Sequence, residues 1–265
     1  MDLKLARQVV LITGGSKGIG LACAQGFLAE GARVAIASRN PLHLAAAEAS
    51  LVAAGHAGAD LHTFAADLRQ AEAADELVAA VEQQLGPIDI LVNSAGAAQR
   101  TPPDELTAAH WHAAMDAKFF TYIHAMQAVS DGMAARGRGV IVNVVGMGGK
   151  LASPVHLPGG AANAALMLAS TGLANALAGK GVRVNVVNPG TVATTRMHEG
   201  LAAQSRMSGI SVEDLLERAI RAAPLGRLAV AEDVASVVLF LASPQAGYVS
   251  GAVLTVDGAN TPVVV

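Results

Sequence analysis

The chain has 265 residues, 52% hydrophobic but only 3% aromatic, 15% charged, with 28 glycines, 10 prolines and a single cysteine, Cys23. That length buries a sizeable core and suits one large α/β domain. The composition excludes disorder and collagen-like repetition, and a formal charge of −3 leaves no footprint for nucleic acid. One cysteine permits no intrachain disulfide, and the opening MDLKLARQVVLITGG lacks the long apolar run of a signal peptide. The Ala-rich stretch 159–179 is broken by Asn163, Ser170, Thr171 and Asn175, so no membrane span is expected. A soluble cytoplasmic protein is expected.

In chain order, Val9–Ile12, Arg33–Ser38, Leu61–Ala65, Ile88–Val92, Val140–Val145, Val182–Val187 and Ala252–Val256 read as seven strands, most of them apolar on both faces. Helical segments are expected at 18–30, 41–54, 70–85, 107–136, 159–179, 211–222 and 231–242. This alternation predicts an α/β doubly wound parallel sheet with right-handed crossovers, in a single domain over 1–265. Segment 159–179 is apolar almost all round, which demands cover on more than one side. Another subunit would supply it, unless the neighbouring helix 107–136 does.

Thr13-Gly14-Gly15-Ser16-Lys17-Gly18-Ile19-Gly20 follows the first strand and opens the first helix. Glycines there let the backbone approach a pyrophosphate, and the helix start offers free N–H groups to it. The second strand ends in Ala37-Ser38-Arg39-Asn40, without the acid that would read a ribose 2′-hydroxyl. Arg39 and Lys17 are two cations suited to a 2′-phosphate, which favours NADP(H) over NAD(H). The plain alternative is a pair of solvated surface cations.

Beyond this turn the chain resembles the short-chain dehydrogenase/reductase family over almost its full length. The resemblance rests on TGGSKGIG, Asp67-Leu68, Asn93-Ser94-Ala95-Gly96, the run Val184–Thr194, Leu225-Gly226-Arg227, and the tail from Ser250-Gly251-Ala252 to Val256-Asp257-Gly258. It implies a seven-stranded Rossmann sheet, usually assembled as a tetramer. It further implies that Asp67 and Leu68 flank the adenine and that Asn93, Ala95 and Gly96 line the cofactor cleft. Pro189 and Gly190 would lie beside the cofactor, while Val192 and Thr194 would hold the nicotinamide carboxamide.

The family works with an Asn, a Ser, a Tyr and a Lys, the Lys standing four residues after the Tyr. Here those positions fall on Lys118, Gly146, Gly159 and Asn163, and no Tyr-x-x-x-Lys occurs anywhere, since Met126 and Ala252 follow the two tyrosines, Tyr122 and Tyr248, at that spacing. Gly146 and Gly159 would leave an empty volume, and Asn163 could still hydrogen-bond the nicotinamide ribose. Substitute proton donors are Lys118 and His156, with Lys150 weaker. A Lys118/Tyr122 pair is conceivable, although Tyr122 is expected too far along its helix. Lys118 would otherwise point away or pair with Asp116 or a loop carboxylate, and His156 would be a solvated loop residue. No clustered ligands suggest a metal site.

Three functions follow: an oxidoreductase on a small carbonyl or alcohol with a displaced proton donor, a non-catalytic cofactor-binding subunit or sensor, or a non-redox enzyme using the enlarged pocket. The expected assembly is a homo-tetramer, or a hetero-oligomer with an active homologue. The segment from about 195 to 222 is expected to cover the substrate.

Overall fold

Seven short runs of β-branched and aliphatic residues form one sheet in the computed structural model, which describes residues 2–56, 60–96 and 99–262. The strands are β1 (Val9–Thr13), β2 (Arg33–Ser38), β3 (Leu61–Ala65), β4 (Ile90–Asn93), β5 (Gly139–Val144), β6 (Val182–Pro189) and β7 (Val253–Val256). Their order is β3-β2-β1-β4-β5-β6-β7 and every neighbouring pair is parallel. This is the Rossmann-type doubly wound sheet, with the order reversing between β1 and β4.

Period-two alternation sends successive strand residues into two cores. Val10, Ile12, Val34 and Ile36 pack with α1 (Gly18–Ala29), α2 (Pro41–Ala53) and α9 (Ala231–Ala242). Leu11, Ala35, Leu91 and Ile141 face the other way, against α3 (Ala71–Leu85), α5 (Thr121–Arg136) and α6 (Leu157–Ala178).

Strand ends shift from the sequence expectation by at most two residues, and two helical segments differ more. The helix expected over 107–136 is α4 (Ala108–Ala114), a π-helical turn (Met115–Phe120) and α5. The segment 195–222 holds two helices, α7 (Thr195–Ser208) and α8 (Val212–Ala222), with Gly209 in the left-handed region at the end of α7. The fourth strand starts at Ile90, and just before it the Asp89 carboxylate accepts from Val9 N at 3.1 Å. In α6, Asn163, Leu166, Met167, Ser170 and Ala174 are buried, while Ala161, Ala164, Leu168, Gly172 and Asn175 form an outward stripe. The neighbouring helix therefore does not cover that stripe, and Leu168 is 77% exposed.

Polar side chains also cross this core. Thr13, Asn93 and Asn143 stand opposite one another on β1, β4 and β5. Thr13 Oγ1 donates to Asn93 Oδ1 at 2.9 Å, and Asn93 Nδ2 to Asn143 Oδ1 at 3.0 Å. Asn143 Nδ2 donates to Ser170 Oγ at 2.9 Å, and Ser170 Oγ donates to Leu166 O at 2.6 Å. All four side chains are buried. Asn143→Ala leaves the buried Asn93 amide without its acceptor and Ser170 Oγ without its donor, so it is expected to cost about 1–3 kcal/mol. Urea unfolding measures this; a loss under about 0.5 kcal/mol would show that the row adds no stability.

Candidate active site

The parting of β1 and β4 opens a crevice at the carboxyl ends of the strands, where open α/β sheets bind ligands. Gly14 sits on one lip with φ +69°, and a Cβ there would come within 2.7 Å of the Ser94–Ala95 backbone on the other. A Cβ on Gly20 would run into the Gly14 carbonyl. Both glycines are thus required by close backbone approach. Lys17 precedes α1 in an extended conformation without a side-chain cap, and the first turn of α1 carries no acid. Its N–H groups and dipole are therefore available to an anion beside Ser16, Gly18 and Ile19.

Where β2 ends, Ser38 is half-buried, Arg39 is exposed, and Asn40 caps α2 by accepting from Leu42 N and His43 N at 2.9 and 3.4 Å. Lys17 Nζ lies 3.1 Å from His43 Nε2. After β3, Asp67 accepts from Arg69 Nε at 2.9 Å, and this guanidinium, with Arg39 adding to it, holds the carboxyl below its ordinary range. Leu68 is buried and its carbonyl faces His124 Nδ1 at 2.9 Å. Of the expected adenine-flanking pair, Asp67 is the member that reaches the surface.

The expectation that Asn93 lines the cleft needs correction at the side chain. It is fully buried and spent on Thr13 and Asn143, so the lip is formed by Ser94, Ala95 and Gly96. Gly96 has φ +89°, and a Cβ there would strike the Ala117 carbonyl, which seats the π-helical turn against this lip. On the far side, Gly190 packs on Asp257, buried Val192 bridges to Ala229, and Thr194 starts α7. Thr194 Cγ2 is 3.5 Å from where a Gly18 Cβ would stand. The 189–194 segment thus returns to the phosphate turn, and α7 starts there.

Lys118 turns inward rather than out of the cleft, and is 8% exposed. Its Nζ donates to Tyr122 Oη at 3.0 Å and Val144 O at 3.3 Å, while Tyr122 Oη donates to Val144 O at 2.6 Å. The tyrosine expected to lie too far along the helix therefore does pair with Lys118, but it is fully buried. Because β4 stops at Asn93, opposite Asn143, the Val144 carbonyl lies beyond the last β4 residue. Tyr122 and Lys118 supply the donors that a longer β4 would have given it.

Gly146 leaves β5 with φ +123° and its N–H donates to Asn188 Oδ1 at 3.1 Å. A Cβ on Gly146 would meet Asn163 Nδ2 at 3.6 Å. One on Gly148 would meet His156 Cδ2 at 3.1 Å, Asn163 Nδ2 at 3.3 Å and His156 Nε2 at 3.5 Å. Imidazole and amide thus converge on one glycine loop. Gly159 is itself buried, and the empty volume expected beside Gly146 is in part filled by Asn163. His156 is half-buried, not the solvated loop residue of the plain reading. Sequence reasoning missed Asn143, Ser170 and His43; a polar residue inside the apolar strand VIVNV was the available signal for Asn143. Among the described residues there is no His/Cys/Asp/Glu group able to hold a metal.

Comparison with known proteins agrees with this geometry. The family model described as enoyl-(acyl carrier protein) reductase matches residues 14–260. The chain is 35% identical to 2-(S)-hydroxypropyl-CoM dehydrogenase 3 of Xanthobacter autotrophicus over 99% of this chain and 100% of that one. It is 34% identical to gluconate 5-dehydrogenase of Gluconobacter oxydans, over 95% and 93% of the two chains. Among solved structures, L-sorbose reductase from Gluconobacter frateurii complexed with NADPH and L-sorbose superposes with a TM-score of 0.92, at 29% identity and full coverage of both chains. An actinorhodin polyketide ketoreductase variant with NADPH superposes at 0.91, with 30% identity over 96% of this chain and 97% of that chain. The family model spans β2 to β7, the L-sorbose reductase structure covers the whole chain with β1 included, and the chain belongs to the short-chain dehydrogenase/reductase family.

Proposed function

We propose that the protein is an NADP(H)-dependent oxidoreductase acting on a small carbonyl or alcohol, with His156 delivering the proton that a tyrosine delivers elsewhere in the family. The convergence of His156 and Asn163 on Gly148 carries this reading. The cofactor fits the crevice on its own chemistry: an uncapped helix start, Lys17 and Arg39, and no carboxylate at the end of β2. When bound, NADPH supplies a hydride to the carbonyl carbon. The protein's task is then to neutralise the oxygen as negative charge develops on it. An imidazole ring carries nitrogens that can donate or accept a proton, so His156 suits either direction of the reaction. Asn163, uncharged but able to donate and accept, suits the nicotinamide ribose hydroxyls. Lys118 is the weaker donor because its ammonium is engaged with the Val144 carbonyl and Tyr122. The buried Gly159 favours a second reading, a cofactor-binding subunit without turnover.

Purified protein should bind NADPH more tightly than NADH in a calorimetric titration and oxidise NADPH with members of a panel of small ketones and aldehydes. His156→Ala should lower kcat/KM about 10²–10⁴-fold with unchanged NADPH affinity. Lys118→Met should stay within about tenfold of the parent, one power of ten below the least loss of an acid–base group. An unaffected His156→Ala rate overturns the donor assignment. No turnover with any substrate, together with tight NADPH binding, leaves the non-catalytic reading.

Gly148→Ala supplies a separate check on the positioning of His156. Its Cβ at 3.1 Å must shift the ring, so activity should fall while the unfolding midpoint stays near the parent's. Full activity would show that the ring position is not what matters.

The homo-tetramer also stands as part of this proposal, supported by the exposed apolar stripe of α6. Leu168→Glu places a charge in its middle and should shift the molecular mass seen by light scattering toward smaller species. An unchanged mass would place any interface elsewhere.

A further inference from the structure

We propose that His43 is a positioning residue for cofactor choice: it holds the Lys17 ammonium over the start of α2, where an adenosine 2′-phosphate would lie. The inference rests on the NADP(H) reading above. Lys17 Nζ and His43 Nε2 are 3.1 Å apart although 26 residues separate them in the chain. An ammonium only donates, so Nε2 is the acceptor and the imidazole proton lies on Nδ1. The contact links the phosphate turn before α1 with the first turn of α2.

Three features put this contact at the 2′-position rather than on a neutral surface. Strand β2, next to β1, delivers Ser38 and Arg39 to the same edge, and α2 begins two residues after Arg39. The first turn of α2 carries no acid, so its end of the helix is electropositive. Asp67, a carboxylate close enough to sense Arg39, is already engaged by Arg69. An anion arriving here meets Lys17, Arg39 and the positive end of the α2 dipole, whose first N–H groups Asn40 caps, with the nearby carboxylate paired to Arg69.

What His43 adds is order. A lysine stem is long and flexible, and an exposed ammonium is strongly hydrated. Restraining it before the ligand arrives lowers the cost of restraining it afterwards. The gain belongs to ligands that carry the 2′-phosphate and not to those that lack it.

Adenosine 2′,5′-bisphosphate and ADP, titrated calorimetrically, separate this role from the rest of the cofactor. The parent should bind the 2′,5′-bisphosphate more tightly than ADP. His43→Ala should weaken the 2′,5′-bisphosphate about three- to tenfold, the range of one hydrogen bond, with ADP affinity within about twofold. His43→Gln, whose amide oxygen can still accept from Lys17, should restore affinity to within about twofold of the parent. In a Lys17→Ala background, His43→Ala should have no further effect. If His43→Ala leaves both ligands unchanged, or weakens both alike, His43 has no part in phosphate reading and the inference is overturned while the NADP(H) reading stands. If the parent itself fails to prefer the 2′,5′-bisphosphate, the NADP(H) reading falls and takes this inference with it.

Discussion

The buried row Thr13–Asn93–Asn143–Ser170 is the constraint on which the rest of the site depends. These side chains sit at the carboxyl ends of β1, β4 and β5 and continue into α6. Inside a dry core each unmade bond would cost more than each made bond gains, so the row tolerates one register only. A slip of any strand by one residue would point its amide at the opposite face of the sheet. The row therefore fixes, with side chains, the same alignment that the ladder fixes with backbone.

Everything in the crevice hangs from these four ends. Thr13 leads directly into Gly14, Asn93 into Ala95 and Gly96, Asn143 into Gly146, and Ser170 lies two turns along α6 from Asn163. Glycines then let the lips close: Gly14 against Ala95, and Gly96 against Ala117. The phosphate turn, the strand-end lip and the helix bearing Asn163 are thus one rigid frame. Loops that must bind a ligand are positioned by a scaffold that cannot shift.

The sheet was legible in the sequence because parallel strands covered on both faces are apolar runs bounded by turn residues, and Arg33–Ser38 and Leu61–Ala65 agree to the residue. The phosphate turn was legible because strand, glycines and helix occur together. Two kinds of feature were hidden. The π-helical turn at Met115–Phe120 leaves the apolar pattern of a helix intact, so periodicity over 107–136 reads as continuous. Side-chain contacts between elements distant in sequence, such as Lys17 with His43 or Lys118 with Val144, depend on where the helices settle on the sheet. Lys118 could be read as inward or outward because a lone lysine in a helix carries no directional signal. Its direction is decided by the short β4, whose early end leaves a carbonyl in need of donors.

That carbonyl also bears on how the chemistry is distributed. Lys118 stands where the resemblance places an asparagine, and Tyr122 lies one turn on, a pair that looks like a relocated acid and its activator. The geometry argues otherwise. The Tyr122 hydroxyl donates a hydrogen bond to Val144 O at 2.6 Å, and no part of Tyr122 is exposed, so no substrate oxygen can reach it. Lys118 has three N–H donors, and two are directed at Tyr122 and Val144 O. A proton donor must lie within reach of the oxygen it serves and be free to lose the proton when charge develops. The pair instead closes the end of β5 just before Gly146 departs, and so steadies the loop that carries Gly148. His156 and Asn163 stand on the other side of that loop, where the chain turns from β5 toward α6. Lys118 and Tyr122 thus serve the β5 end as structural donors, which leaves His156 and Asn163 as the polar side chains that meet at Gly148.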